Sequence, residues 1–270
     1  MPKTISICNQ KGGVGKTTTA INLATYLALT GKKILLVDAD PQGNATSGIG
    51  IDKSKVTQSI YHILISQKQF SEIIIPTQVT NLFIAPSNLD LTGAEVELVG
   101  VIGRDFRLKK ALEEIRESYD FIFIDCPPSL NLLTINALTA SNSVLIPIQC
   151  EYYALEGLSQ LIKTIDLVKD HLNPELSIEG ILLTMADFRT NLTGEVIKEA
   201  RSYFKEKVYK TTIPRSIKLS ESPGFGKPIA FYDKNSTGAL KYEELSKEFV
   251  GIKIAQHVMP QEVTEMEELS

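Results

Sequence analysis

Apolar residues gather along this chain in short continuous runs, separated by longer stretches in which apolar positions recur every three or four residues. The runs at 33–38, 81–86, 120–125, 143–148, 178–184 and 208–213, together with the β-rich segment that begins at Ile5, read as strands. Continuous apolar runs, rather than an in-out alternation, are what strands of a parallel sheet look like when both faces are covered. Helical spacing predicts a helix over 16–30 ending at Gly31, and another around Phe106, Leu108, Leu112 and Ile115. A third carries Leu158, Leu161, Ile162, Ile165 and Val168 on one face, and an amphipathic helix covers about 195–207. A last helix, about 238–254, puts Tyr242, Leu245, Phe249 and Ile252 together. Residues 39–80 are less regular, with a short helix predicted at 59–66. Strands alternating with helices predict an α/β fold: a doubly wound, mostly parallel twisted sheet with helices on both faces. The expected organisation is one domain over 1–250, followed by a polar, loose tail over 251–270.

The connection after the first strand changes this picture from fold to chemistry. It runs Gln10-Lys11-Gly12-Gly13-Val14-Gly15-Lys16-Thr17-Thr18 between a strand and an alanine-rich helix. Glycines let successive backbone N–H groups turn inward on an anion, and the following helix start adds its positive end. Lys16 is placed for β/γ-phosphates and the Thr17 hydroxyl for Mg²⁺. The common phosphate-loop spacing asks for glycine at position 10; this chain has Gln10 there and a second lysine, Lys11, beside it.

Two acidic sites end apolar strands, where ligands bind in open α/β sheets. Asp38 and Asp40 lie two apart and so share a side, while Asp125 closes the run 120–125. Asp38 and Asp125, with Thr17, are candidate Mg²⁺ ligands, and Asp40 is the candidate for orienting an attacking water. With no second substrate pocket legible, phosphoryl transfer to water is the favoured reaction, with Lys16 and Mg²⁺ neutralising developing charge.

Composition narrows the setting. The chain has 270 residues, 43% hydrophobic and 22% charged, with a net charge of −4. No run approaches the roughly 18 apolar residues of a membrane span. The first strand follows the first residues closely, leaving no room for a signal peptide, and Cys8, Cys126 and Cys150 sit in apolar runs without metal-ligand spacing. These readings predict buried thiols in a reducing cytosol. The charge is uneven: residues 251–270 hold Lys253 against Glu262, Glu265, Glu267 and Glu268. Residues 198–227 hold eight basic side chains, among them Lys198, Arg201 and Lys218, against three acidic ones. That segment is a candidate nucleic-acid surface, against the alternative of a solvated helix face.

Three blocks, K-G-G-V-G-K-T-T, D-A-D-P-Q-G-N and I-D-C-P-P, resemble the deviant Walker A, A′ and B motifs of the ParA/Soj partition ATPases. The likeness continues through P-I-Q-C-E-Y-Y-A-L-E-G-L at 147–158, D-F-R-T-N-L at 187–192 and I-P-R-S-I-K-L-S-E-S-P-G-F-G-K-P-I at 213–229. The resemblance implies ATP and Mg²⁺ as cofactors and a homodimer in the ATP state. It also implies non-specific binding of double-stranded DNA, a ParB-like stimulating partner, no membrane association and a cytoplasmic, nucleoid-associated location. It matches Lys11 to the signature lysine that reaches the partner's ATP, Asp40 to the residue needed for hydrolysis and Asp125 to the Walker B acid. Pro214, Arg215 and Ser216 match the segment near adenine, and Arg189 and Lys218 match DNA-contacting basic residues. Many relatives have arginine where this chain has Lys218, which keeps the charge but loses a bidentate grip. The chain resembles the short members, without an N-terminal helix-turn-helix domain. Two other readings remain open at this point. A MinD-like membrane ATPase would want a basic amphipathic C-terminal helix, whereas this tail is acidic. An iron–sulfur protein like the nitrogenase iron protein would use Cys126.

Overall fold

The computed structural model describes residues 2–151 and 156–251, with the side chains of Glu156 and Gly157 excepted. Seven strands form one sheet: β1 (Lys3–Ile7), β2 (Ile34–Asp38), β3 (Ile75–Pro76), β4 (Leu82–Ala85), β5 (Phe121–Asp125), β6 (Ser143–Gln149) and β7 (Ser177–Thr184). Their spatial order is β3-β4-β2-β5-β1-β6-β7, and every pairing is parallel except that of β3 with β4. The chain leaves β1 toward β2 and later fills both sides of β1, so the carboxyl end of β1 is the crevice where such sheets bind ligands.

The helices in chain order are α1 (Lys16–Leu29), α2 (Asn44–Gly48), α3 (Ile60–Leu64), α4 (Phe70–Ile73), α5 (Leu91–Glu97) and α6 (Arg107–Glu113). They continue with α7 (Leu132–Ala140), α8 (Glu156–His171), α9 (Asn191–Phe204), α10 (Ile217–Glu221), α11 (Ile229–Tyr232) and α12 (Thr237–Phe249). Strand alternation divides the apolar side chains between two cores. Ile5, Ile7, Ile34, Leu36 and Phe123 face the core shared with α1 and α12. Leu35, Val37, Ile122 and Ile124 face the other, shared with α3 and α5 to α9. This two-sided burial is why the strands read as unbroken apolar runs.

Two expectations need correction. Residues 208–213 do not form a strand. Val208 is bridged to Ile181 and, just past both segments, Pro214 to Ala186, so six steps of chain face five; between them only the amides of Tyr209 and Ile213 donate to β7, to the Ile181 and Leu183 carbonyls at 2.9 Å each. The surplus is a bulge: the amides of Lys210 and Thr211 turn from the sheet and donate to the Glu248 carboxylate on α12, at 2.7 and 2.9 Å. Helix α7, in turn, is absent from the sequence reading. Its residues L-L-T-I-N-A-L-T-A are buried on most sides, with Leu133, Asn136, Ala137, Leu138 and Thr139 all inside, so no polar face marks a helical period. Only its cap leaves a local sign, Asn131 Oδ1 accepting from the Thr134 amide at 3.4 Å. The helix foreseen at 238–254 runs over Thr237–Phe249; Ile252 and the acidic tail lie outside the described residues.

Candidate nucleotide-binding and catalytic site

The loop from Cys8 to Gly15 leaves β1 at its carboxyl end and enters α1 at Lys16. Gly13 and Gly15 have φ of 74° and 87°, the left-handed region that a side chain would strain, and this curls the loop's amides toward its centre. Two residues outside the motif hold that shape. Asn9 donates from Nδ2 to the Pro147 carbonyl at 2.7 Å and accepts from the Lys11 amide at 2.9 Å. Thr184 Oγ1, at the end of β7, lies 2.9 Å from the Val14 carbonyl and 3.1 Å from that of Ile148.

The loop's two lysines differ in placement. Lys16 folds back over its own loop, 3.1 Å from the Lys11 carbonyl, and is buried. Burial lowers its pKa, and the carboxylates led by Asp125 work against that. Lys11 points outward, half exposed, with Nζ 3.0 Å from Glu151 Oε2. Glu151 also lies 4.0 Å from Arg215, so one surface carboxylate sits between two of the cations singled out by sequence.

Asp38 and Asp125 stand side by side in register at the ends of β2 and β5, both wholly buried. Asp38 is saturated: Oδ2 accepts from the Thr46 amide at 2.8 Å and the Thr46 hydroxyl at 2.7 Å, and Oδ1 from the Asp40 amide at 3.2 Å. Burial raises its pKa to about 6 although the bonds from Thr46 oppose that. Both oxygens of Asp125 lack a hydrogen-bond partner within normal distance. Burial first, and Asp38 second, hold its carboxyl well above the usual range; the nearby Thr17 hydroxyl and Lys16 pull it back. An orphaned carboxylate in a dry site is a strained arrangement that a cation relieves. Thr17 and Asp125 therefore fit a divalent metal, whereas the bonds of Asp38 commit it to the loop that carries Asp40. Asp40 itself is buried, its Oδ1 accepting from the Gln42 amide at 2.9 Å.

Beside the loop lies a cavity of about 300 Å³ lined by Gly15, Thr18, Pro214, Arg215 and Ser216. The sequence reading anticipated these five, but not Thr184, Met185, Ile213, Leu219, Ser220, Pro223 and Tyr242, which complete the wall. Pro214 reaches it because the bulge before it ends in the bridge to Ala186. Tyr242 reaches it from α12, its hydroxyl 3.1 Å from Thr19 Oγ1 on α1. Ile213, Leu219, Ser220 and Pro223 were foreseeable from the block at 213–229, and Met185, with φ of 51°, from its place directly after an apolar strand end. Met185, Ile213, Pro214, Leu219 and Pro223 give the cavity apolar faces, and Thr18, Thr184, Arg215, Ser216, Ser220 and Tyr242 give it polar ones, a mixed wall that suits a flat heterocyclic base beside a phosphate loop.

The basic residues are distributed along β7 and α9. The bridge at Ala186 sets the 187–189 turn beside 214–218, at the carboxyl end of β7, on the side of the phosphate loop. There Arg189 is gripped by Asp187 in two bonds of 2.8 and 2.6 Å, and Lys218 by Glu221 at 3.1 Å. Lys207 donates to the Ile178 carbonyl near the start of β7, and Arg201 to that of Lys210, which lies past the bridge to Ile181. Lys198 is exposed on α9. The segment 198–227 thus follows β7 from Ile178 to the bridge at Ala186. Cys8, Cys126 and Cys150 are buried free thiols.

A family model described as an AAA domain matches residues 2–178. The sporulation initiation inhibitor protein Soj of Bacillus subtilis is 60% identical over 248 residues, 92% of this chain and 98% of that protein. The chromosome partitioning protein ParA of Myxococcus xanthus is 56% identical over 91% of this chain and 87% of its own. The chain belongs to the Soj/ParA family of partition ATPases. Among solved structures, cobyrinic acid a,c-diamide synthase from Mycobacterium smegmatis, with an ATP analogue and magnesium bound, superposes with a TM-score of 0.82. It is 34% identical and covers 93% of this chain and 95% of that one. The seven-stranded sheet and phosphate loop are those of P-loop ATPases of this family.

Proposed function

We propose that this chain is an ATP-driven dimerising switch that binds DNA without sequence preference and moves chromosome or plasmid cargo with a ParB-like partner. The observation that carries this reading is the split of the two loop lysines. Lys16 is folded into its own loop, while Lys11, five residues earlier, points outward beside Glu151, where a phosphate brought by another molecule can meet it. A second copy, face to face, brings such a phosphate, and ATP then becomes the glue of the dimer.

The amides of residues 12–18 and Lys16 hold the triphosphate, and Pro214, Arg215 and Ser216 border the base. Thr17 and Asp125 would hold Mg²⁺, which when bound supplies positive charge against the β- and γ-phosphates. Asp40 orients the attacking water at the mouth of this crevice. Its neighbour Asp38 holds it there rather than ligating the metal directly.

Arg189 and Lys218, at the same end of the sheet as the loop, contact DNA phosphates, with Lys198 and Arg201 further along α9. Each of the first two must leave an intrachain carboxylate to do so, and exposed pairs of this kind are worth only about 0–1 kcal/mol, so DNA phosphates compete well. Doubling the contacts on a rigid dimer raises affinity by effective concentration, so ATP turns DNA binding on. No helix among the described residues is long and apolar enough to cross a membrane. A cytoplasmic, nucleoid-bound protein fits this reading.

Light scattering with ATP, ADP or no nucleotide, followed by gel shifts on random-sequence DNA, tests it. Wild type is expected to dimerise and shift DNA only with ATP. Lys11→Ala is expected to bind ATP within about threefold of wild type yet stay monomeric; a stable Lys11→Ala dimer with ATP overturns the trans role. Arg189→Glu with Lys218→Glu is expected to dimerise but lose DNA, and retained shifts would move the DNA surface elsewhere.

A further inference from the structure

We infer that Thr46 is a positioning residue for hydrolysis, a buried hydroxyl that fixes Asp38 and through it the loop bearing Asp40. The inference rests on the reading of Asp40 given above and adds a residue that lies outside the three motifs' acidic and basic groups. Thr46 stands in the short helix α2 and is wholly buried. Its amide and hydroxyl both donate to Asp38 Oδ2, at 2.8 and 2.7 Å. The same hydroxyl oxygen accepts from the Ser87 amide, just past β4, at 2.9 Å. One side-chain oxygen therefore joins the ends of two neighbouring strands.

The chain between these anchors is the catalytic loop. Asp38 Oδ1 accepts from the Asp40 amide, and Asp40 Oδ1 from the Gln42 amide, so the orientation of one carboxylate is passed to the next. A second clasp reinforces the first. Gly43, at φ of 60°, lies so close to the Ser87 carbonyl that a Cβ would sit 2.8 Å from it. The loop is held to β4 by a hydroxyl on one side and by backbone contact on the other.

A hydroxyl that both donates and accepts has no apolar substitute. Valine keeps the shape of threonine but removes one bond from Asp38 and leaves the Ser87 amide buried without an acceptor. Serine keeps both bonds. Groups that orient a residue at a metal-dependent site, without touching substrate, change activity by about 10–100-fold when removed. Because Lys16, the glycine loop and the base cavity are untouched, the loss should fall on turnover and not on ATP binding.

The test compares full-length wild type with Thr46→Val, Thr46→Ser and Asp40→Ala, reading kcat and KM for Mg-ATP and the melting temperature. Thr46→Val is expected to lower kcat by about 10–100-fold with KM within about threefold, and Thr46→Ser to recover most of it. A wild-type kcat in Thr46→Val, a matching loss in Thr46→Ser, or a rise in KM that accounts for the defect overturns the inference. If the valine variant does not fold, Thr46→Ala against Thr46→Ser reads the same contrast. Asp40→Ala is expected to be inactive; wild-type hydrolysis by that variant removes the Asp40 reading itself, whatever Thr46 does.

Discussion

Asp38 and Asp125 are paired in register on adjacent strands and are equally buried, yet they live in opposite circumstances. Asp38 receives three hydrogen bonds from its own loop. Asp125 receives none at normal distance. A buried carboxylate costs free energy unless its lone pairs are met, so the two have been resolved differently. One was met by the protein and serves its architecture. The other has no such bond, which is why we propose it for the metal. Burial alone does not separate a structural acid from a ligand site; the count of donors does.

The largest effect that would break this comparison is on chemistry. Asp125→Asn is expected to cut ATP hydrolysis by about a thousandfold, the size of the several kcal/mol that a bound metal's charge contributes. Steady-state phosphate release checks this, and a loss below tenfold would mean that Asp125 does not hold the metal. Next comes stability. Asp38→Ala strands the Thr46 amide, the Thr46 hydroxyl and the Asp40 amide, and is expected to cost about 2–4 kcal/mol in urea unfolding. Asp125→Ala strands no donor within normal hydrogen-bond distance, although it takes away the leading carboxylate facing the buried Lys16, and is expected to cost less than Asp38→Ala in the nucleotide-free protein. Equal costs would erase the distinction drawn here. The smallest effect is linkage. ATP at a hundred times its Kd stabilises by about 2.7 kcal/mol, and removing Mg²⁺ with a chelator should shrink the thermal shift of wild type. The shift of Asp125→Asn should not respond to the chelator.

The parts of the site that were legible in sequence are those written in neighbouring residues. Gly13 and Gly15 adopt the left-handed backbone that a phosphate loop needs, and Asp38 and Asp125 end apolar strands as anticipated. The strands at 33–38, 81–86, 120–125, 143–148 and 178–184 match β2, β4, β5, β6 and β7 within a residue or two at each end. The misses have a common cause. Helix α7 has no polar face because both its surroundings are protein. The segment 208–213 failed as a strand because Glu248, some forty residues on, takes the Lys210 and Thr211 amides that a ladder would use. The basic segment 198–227 follows β7 from Ile178 to the bridge at Ala186, an extent that a count of charge along the sequence does not show.

By itself, the sequence determined the strand–loop–helix start, most of the strands, the family, and which lysines and carboxylates gather at the carboxyl end of the sheet. These depend on backbone conformation and burial, which local residue types control. Only the tertiary structure decided which carboxylate Lys11 meets, what walls the cavity beside the loop and which aspartate lacks a hydrogen bond at normal distance. The first two are settled by groups distant along the chain, Glu151 for Lys11 and Tyr242 for the cavity, and Asp38 is held by Thr46, itself tied to the remote Ser87. Hydrogen bonds and close contacts between remote segments exist only once the sheet has brought its strand ends together, and at that edge the two aspartates acquire different fates.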